Sequence, residues 1–404
     1  MNRPRNVLLS QGDPREPVEC KFQHAVGALK YSLTIHQTPE EEVWPGGALW
    51  DCGLLLAELL LAVGGMEALT TIHTLLPNDD DNEQQPNNKK HAGKNSKHAS
   101  EKCTRTTNQL SRRLQTWLQQ QQRNNQQQQI WKDSVESVLL HRSNLTVVEL
   151  GCGVGLTGLV ASIALGAVTT ILTDLTVVVD QVTLPNLMQN TTQADNTKQQ
   201  HKTTANSSSF QNINKKYPCR TLRHFRGGGK VMALPLCWGN FEEGERVLQV
   251  LKELQPSPNH NNTKGKGGKK GAKKAATDTS QNTSSTIYPD LILLGDVAYQ
   301  HKPGAPSHFD ILVESLQQLM PPLQNDNHKS QLLLFGTRLR MPASMDLLLL
   351  LQEHFTPVLT QPLPAQVLDP ALEGVKHNMT IHIFTNKTTN NSKPSKEATT
   401  NTTK

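Results

Sequence analysis

The chain has 404 residues, 35% hydrophobic and 4% aromatic, with a formal net charge of +6. So little apolar material cannot fill a core along the whole length, so part of the chain is expected to stay unfolded, and a mild positive charge gathered in Lys-rich stretches makes no case for a nucleic-acid binder. The six scattered cysteines contain no C-x-x-C pair, which excludes a disulfide framework and a zinc site and leaves no metal site to expect.

The first residues, "MNRPRNVLLSQGDPREP", lack the apolar stretch of a secretory signal. No run reaches the roughly 18 apolar residues of a membrane helix. A soluble cytoplasmic or nuclear protein without a membrane partner is expected.

In chain order, "ALWDCGLLLAELLLAVGG" reads as a helix with Asp51 at its N-cap, leucines on the buried face and Gly64-Gly65 as its stop. Residues 77–129 are rich in Asn, Gln, Lys and Asp and read as a disordered insertion, with one short helix possible to draw at 110–118. "LTVVEL" is a buried strand and "LTGLVASIALG" a helix stopped at Gly166. "VTTILTD" is the next strand. Residues 191–216 form a second disordered insertion of Asn, Thr, Ser and Gln. "KVMALPL" follows as a strand, then a Lys/Gly/Asn-rich disordered insertion at 255–286. "DLILLGD" and "QLLLFGT" are strands separated by the helix "FDILVESLQQLM". After the helix "SMDLLLLLQEHF", "FTPVLT" and "MTIHIFTN" pair as a hairpin. The tail, 387–404, is again polar and disordered. None of the polar stretches buries enough apolar surface to offset its ordering entropy. The rest predicts one α/β domain over 22–385, with a Rossmann-like, mostly parallel, doubly wound sheet that ends in an antiparallel hairpin.

The organising stretch is "VVELGCGVGLTGL", a strand, a glycine loop and a helix start. Gly151, Gly153 and Gly155 form G-x-G-x-G, one glycine short of the dinucleotide fingerprint, which needs glycine at Leu156. Glu149 stands two residues before the loop and disfavours a pyrophosphate while suiting a ligand with a cationic end. Asp174, closing the next strand, is placed to accept from ribose hydroxyls. A nucleoside with a cation and no diphosphate describes S-adenosylmethionine. The same turn also serves as a bare strand–helix connection, so other segments carry weight. "LPLCWGN" ends the third strand and offers Trp238 to an adenine face; a plain core tryptophan is its ordinary alternative. "LLGDVAYQ" ends the fourth strand with Asp296 and Tyr299, where a lone Asp would ordinarily be a cap or turn residue.

Together these segments resemble the seven-β-strand protein lysine methyltransferases, methyltransferase family 16, from about Phe22 to Thr385 outside the insertions. They are "GGALWDCGLLLAELL", "VVELGCGVGLTGL", "TDLTVVVDQVTLPNLMQN", "LPLCWGN" and "DLILLGDVAYQ". The D-x-x-Y element, Asp296 to Tyr299, is the most group-specific. The resemblance implies a seven-stranded sheet and S-adenosylmethionine as cofactor. It implies cofactor contacts at Trp50, Glu149, Gly151, Cys152, Gly153, Asp174, Trp238 and Gly295, and a lysine channel lined by the catalytic pair Asp296 and Tyr299. The implied partner is a protein presenting a lysine to a monomeric enzyme. Cys237 stands where the family has an acid before Trp-Gly, and Ala298 replaces a branched residue.

Other readings stay open. A same-fold methyltransferase could act on histidine, arginine, a small amine or RNA, although no asparagine-proline-aromatic motif for nucleobase amines ends the fourth strand. A non-catalytic scaffold that binds S-adenosylmethionine would keep the loop but not need the acids. A nicotinamide-dependent oxidoreductase is opposed by Leu156 and Glu149.

Overall fold

The computed structural model describes residues 18–24, 30–38, 43, 46, 51–64, 66–68, 139, 142–194, 207–224, 226–255, 286–297, 308–323, 330–338, 342–363 and 379–387. The insertion expected at 77–129, the body of that at 255–286, the tail beyond Lys387 and the short helix expected at 110–118 lie outside these residues.

The main sheet has nine strands in the order β11-β12-β10-β9-β4-β5-β8-β7-β6. These are β4 (Thr146–Leu150), β5 (Thr169–Asp174), β6 (Thr192–Gln193), β7 (Arg220–His224), β8 (Gly227–Pro235), β9 (Leu291–Gly295), β10 (Leu332–Arg338), β11 (Phe355–Leu363) and β12 (Met379–Asn386). Strands β10, β9, β4, β5 and β8 run parallel to one another. β12 closes antiparallel on β10, with β11 on its outer edge, as the hairpin reading expected. The seven expected strands are all present; the count of seven is corrected to nine. The additional pair, β7 and β6, extends the sheet antiparallel beyond β8. "RTLRH" carries too few apolar residues to read as a strand alone, and it is held by its register against β8 and by Leu222 and His224 turned inward.

Every residue of "TVVEL" is buried. Successive strand residues face opposite sides, so the sheet is covered on both. One cover is the helix pair α1 (Asp51–Val63) and α2 (Leu156–Leu165), which pack on each other. All ten residues of α2 are buried, the polar Thr157 and Ser162 among them, so it is enclosed on every side. It ends at Gly166 in the left-handed conformation, φ 64°, the stop read from sequence. α1 begins at Asp51 itself, within a residue of the expected cap.

After β5 the chain forms α3 (Thr176–Val178), a wider π turn at Val179–Thr183, and α4 (Leu184–Asn190). Two pieces of the stretch expected to be disordered at 191–216 are regular: β6, and α5 (Ser207–Lys216). Composition hides α5 because it needs only one apolar face. Phe210 and Ile213, three residues apart, pack against the core, and Asn214 Oδ1 accepts from Cys219 N–H at 2.6 Å to close the turn beyond it. α6 (Phe241–Leu254), α7 (Phe309–Leu319) and α8 (Pro342–His354) pack in a row.

A second sheet was not foreseen. β1 (Val18–His24), β2 (Lys30–Ile35) and β3 (Met66–Ala68) form an antiparallel sheet in the order β2-β1-β3. The alternation of Tyr31, Leu33 and Ile35 with polar residues was its signal.

The amino ends of β4 and β9 are locked together. Asp290 pairs with Arg142 and accepts from Thr146 N–H and Oγ1, both at 2.9 Å. Nearby, buried Gln331 and Asn386 bond each other and the carbonyls of Pro289, Leu319 and Pro321, so both amides are satisfied in the interior.

Candidate cofactor and active site

Chain order creates the crevice. From β4 the chain winds to β5 and β8 on one side, then returns to β9 and β10 on the other. β4 and β9 are neighbours, with Leu150 level with Leu294, and the connections leave their carboxyl ends in opposite directions. Ligands of open α/β sheets bind at such a point. The glycine loop leaves β4 here, and Gly295-Asp296 leaves β9 beside it.

Gly151, Gly153 and Gly155 have φ of 66°, 51° and 81°, a region glycine enters freely. Gly155 N–H donates to the Cys152 carbonyl at 2.8 Å, and Cys152 N–H to the Thr173 carbonyl at 3.0 Å. Space is equally tight. A Cβ on Gly151 would lie 3.0 Å from Val297 and 3.5 Å from the Trp238 ring, and one on Gly153 would lie 2.7 Å from the Gly46 carbonyl oxygen. α2 then starts after Gly155, which has no side chain of its own to cap it.

Asp174 closes β5 at the rim, half-buried. One carboxylate oxygen accepts from Gly153 N–H and the other from Leu175 N–H, both at 2.8 Å. Burial raises its pKa to about 6 against the pull of those two bonds.

Glu149 is 2% exposed. Its Oε2 accepts from Gly158 N–H at 2.8 Å, in the first turn of α2. The carboxyl that the sequence offers to a cationic ligand is therefore engaged with the helix beneath the loop. Burial pushes its pKa up to about 8; bonds from Gly158 N–H and the Thr157 hydroxyl oppose the rise and the charge of Asp174 adds to it. Cys152 is buried, with Sγ 3.5 Å from Thr183 Oγ1. Burial, then the charges of Asp174 and Glu149, raise its thiol well above the ordinary range, so it is a packing group and not a nucleophile.

Trp238 reaches the loop because the turn after β8 is pinned at several atoms. Leu236 N–H donates to the Asp174 carbonyl at 2.9 Å. Asn240 caps α6, Glu243 Oε2 accepts from Cys237 N–H at 2.7 Å, and Gly239 N–H donates to Ser315 Oγ at 2.8 Å. The half-buried indole stands beside Gly151 and is not sealed in the core.

Gly295 sits against α1, where a Cβ would lie 3.6 Å from the Gly53 Cα. Asp296 has φ 53°, alone among the described non-glycine residues in being positive. Its N–H donates to the Gly336 carbonyl at 2.9 Å and the residue is 8% exposed. That conformation costs about 1–2 kcal/mol, and such strain concentrates where a side chain must be aimed for function. Trp50 and Tyr299 lie outside the described residues. The remaining expected residues, Glu149, Gly151, Cys152, Gly153, Asp174, Trp238, Gly295 and Asp296, cluster at this one crevice.

Sequence reading passed over Thr183, Asn186 and Asn190. Thr183 Oγ1 donates to the Gly153 carbonyl at 2.6 Å, and Asn186 Nδ2 to the Val154 carbonyl at 3.2 Å. Their spacing, i, i+3 and i+7 on a face that also buries Leu187, was the available signal: polar residues where an amphipathic helix should be apolar.

Residues 100–213 match the family model described as lysine methyltransferase. The family named by the motifs is thus the family whose model matches, over a stretch that holds the glycine loop, Asp174 and the Thr183–Asn190 face. No curated protein matches the chain. Similar solved structures include one described as a methyltransferase complexed with SAH and one described as a SAM-dependent methyltransferase from Streptococcus mutans. The first is 11% identical with a TM-score of 0.32, covering 62% of this chain and 47% of its own. The second is 11% identical with a TM-score of 0.31, covering 64% and 48%. The chain spans about half the length of either. Among the described residues no helix is long and apolar enough to cross a membrane, and no group of three or more His, Cys, Asp and Glu could hold a metal.

Proposed function

We propose that this protein is an S-adenosylmethionine-dependent methyltransferase that acts on a lysine side chain of a protein. The observation that carries the reading is the convergence, at the β4–β9 crevice, of a glycine loop in the left-handed region, an acid at the next strand end, an indole, and a strained Asp on the adjoining strand. The donor set fits this cofactor. Asp174 is a rim acid suited to ribose hydroxyls, and Trp238 offers an aromatic face. Gly151, Cys152, Gly153 and Gly295 would let the nucleoside lie against backbone. Glu149, beneath the loop, would supply negative charge once a cationic group lowers its pKa.

The bound cofactor supplies a methyl already activated on a sulfonium, so the protein's task is positioning and charge. A free lysine has a pKa of about 10.4, and on the order of one in a few thousand is neutral at pH 7. Asp296 would accept from the amine's remaining N–H groups and aim its lone pair. A carboxylate raises a lysine's pKa, so Asp296 orients and does not cause proton loss; the proton leaves to water. Tyr299 would pack the lysine stem or bond the amine.

Radiolabelled S-adenosylmethionine and the full-length protein in a lysate lacking it should label one protein band. Acid hydrolysis should release methyl-lysine. Methyl-histidine, methyl-arginine or labelled RNA would reject the lysine assignment while keeping the transferase. Cofactor binding with no labelled product in any lysate would favour a binding scaffold.

A further inference from the structure

The helical segment between Asp174 and Thr191 joins three parts that chain connectivity keeps apart. On its inner face Thr183 is fully buried and Asn186 is 1% exposed. Thr183 Oγ1 donates to the Gly153 carbonyl at 2.6 Å and Asn186 Nδ2 to the Val154 carbonyl at 3.2 Å. Two successive carbonyls of the glycine loop are thus held from behind. A peptide unit is planar, so holding a carbonyl also fixes the N–H of the following residue.

Asn186 works in the other direction too. Its Oδ1 accepts from His36 N–H at 2.8 Å and its Nδ2 donates to the His36 carbonyl at 3.0 Å. One turn on, Asn190 repeats the pair on Thr34, with both bonds at 2.8 Å. A buried amide at Asn186 and a half-buried one at Asn190 therefore grip the backbone at the end of β2 as a strand partner would. The π turn makes this possible. It inserts extra residues per turn, so the face that packs Val178, Val179 and Val182 inward gives way to one that presents Thr183, Asn186 and Asn190. The chain beyond β2 also crosses the loop, with the Gly46 carbonyl against Gly153 and Gly53 accepting from Thr157 Oγ1 at 3.2 Å.

We infer that Thr183 and Asn186 are positioning residues for the cofactor loop, and that through them occupancy of the loop is coupled to the order of the N-terminal sheet. The inference rests on the cofactor reading above. The loop keeps its shape for a ligand only while its carbonyls are held, and a ligand that tightens the loop tightens β2 through the same amide. Coupling of this kind is reciprocal.

The probe is S-adenosylhomocysteine with the full-length protein. Calorimetry should find that Thr183→Val, which keeps shape and loses the hydroxyl, binds about 3- to 10-fold more weakly. Thr183→Ser, which keeps the hydroxyl, should bind within about 2-fold of wild type. In wild-type protein, hydrogen exchange of peptides spanning 30–38 should slow on saturation, relative to the distant β11–β12 hairpin. Wild-type affinity in Thr183→Val, a Ser variant as weak as the Val variant, or exchange at 30–38 that ignores bound ligand would each overturn the inference alone. Wild-type protein that does not bind S-adenosylhomocysteine would overturn the cofactor reading and this inference with it. The exchange measurement needs no variant, so it decides even if Thr183→Val fails to fold.

Discussion

Glu149→Gln isolates what burial does to the acid beneath the glycine loop. The carboxyl is 2% exposed, with Oε2 2.8 Å from Gly158 N, and its pKa is raised from 4.5 to about 8. A folded pKa above the unfolded one means that the group's contribution is full below pH 4.5 and is lost as pH rises through 8. At about 1.4 kcal/mol per pH unit, a rise of this size removes about 4–5 kcal/mol across that window. Glutamine keeps an oxygen for Gly158 N–H and has nothing to titrate. Urea unfolding of both proteins at pH 5, 6, 7 and 8 should give a difference that grows in favour of the variant by about 1 kcal/mol per unit or more, at a constant m-value. Parallel stability curves over pH 5–8 would refute the reasoning. They would mean that the Gly158 and Thr157 bonds and the start of α2 hold the carboxylate ionised despite burial. The same pair tests the proposed cation: wild-type binding of S-adenosylmethionine at pH 7 should release protons, measured calorimetrically in two buffers, and binding by the variant should release fewer.

Asp296→Ala should bind S-adenosylmethionine nearly as well as wild type and transfer methyl about 30- to 1000-fold more slowly, from the loss of one charge-assisted bond in the transition state; full single-turnover activity would reject the lysine-channel role. Asp290→Ala strips Thr146 and Arg142 of their acceptor at the amino ends of β4 and β9, so it should cost about 2–3 kcal/mol of stability yet leave S-adenosylhomocysteine affinity unchanged, because the loop lies at the opposite end of those strands. His382, held between Phe335 and Phe384, has its pKa lowered to about 4 by burial. Its contribution is therefore full above the unfolded value of about 6.5 and is lost as pH falls towards 4, by up to about 3 kcal/mol. Denaturant midpoints at pH 4.5 and 7 should differ less in His382→Gln than in wild type.

The elements of the core were legible because each is encoded over a few residues. Apolar runs bounded by turn residues marked β4, β5, β8, β9, β10, β11 and β12, and Gly166 marked the end of α2. The glycine loop and the acids at strand ends were legible for the same reason, since a sharp backbone turn and a terminal carboxylate are local. What escaped depends on partners far along the chain. β7 is a strand only beside β8, and α5 is a helix only with Phe210 and Ile213 against the core. Asn186 and Asn190 read as stray polar residues until β2, about 150 positions earlier, lies across them. The raised pKa of Glu149 and the left-handed turn at Asp296 likewise have no local code. Desolvation requires the packed interior, and a positive φ at Asp296 is held by Gly336 on the neighbouring strand. Periodicity and turn chemistry act between neighbours in sequence, whereas pairing, burial and strain act between neighbours in space, and only the folded chain decides which residues those are.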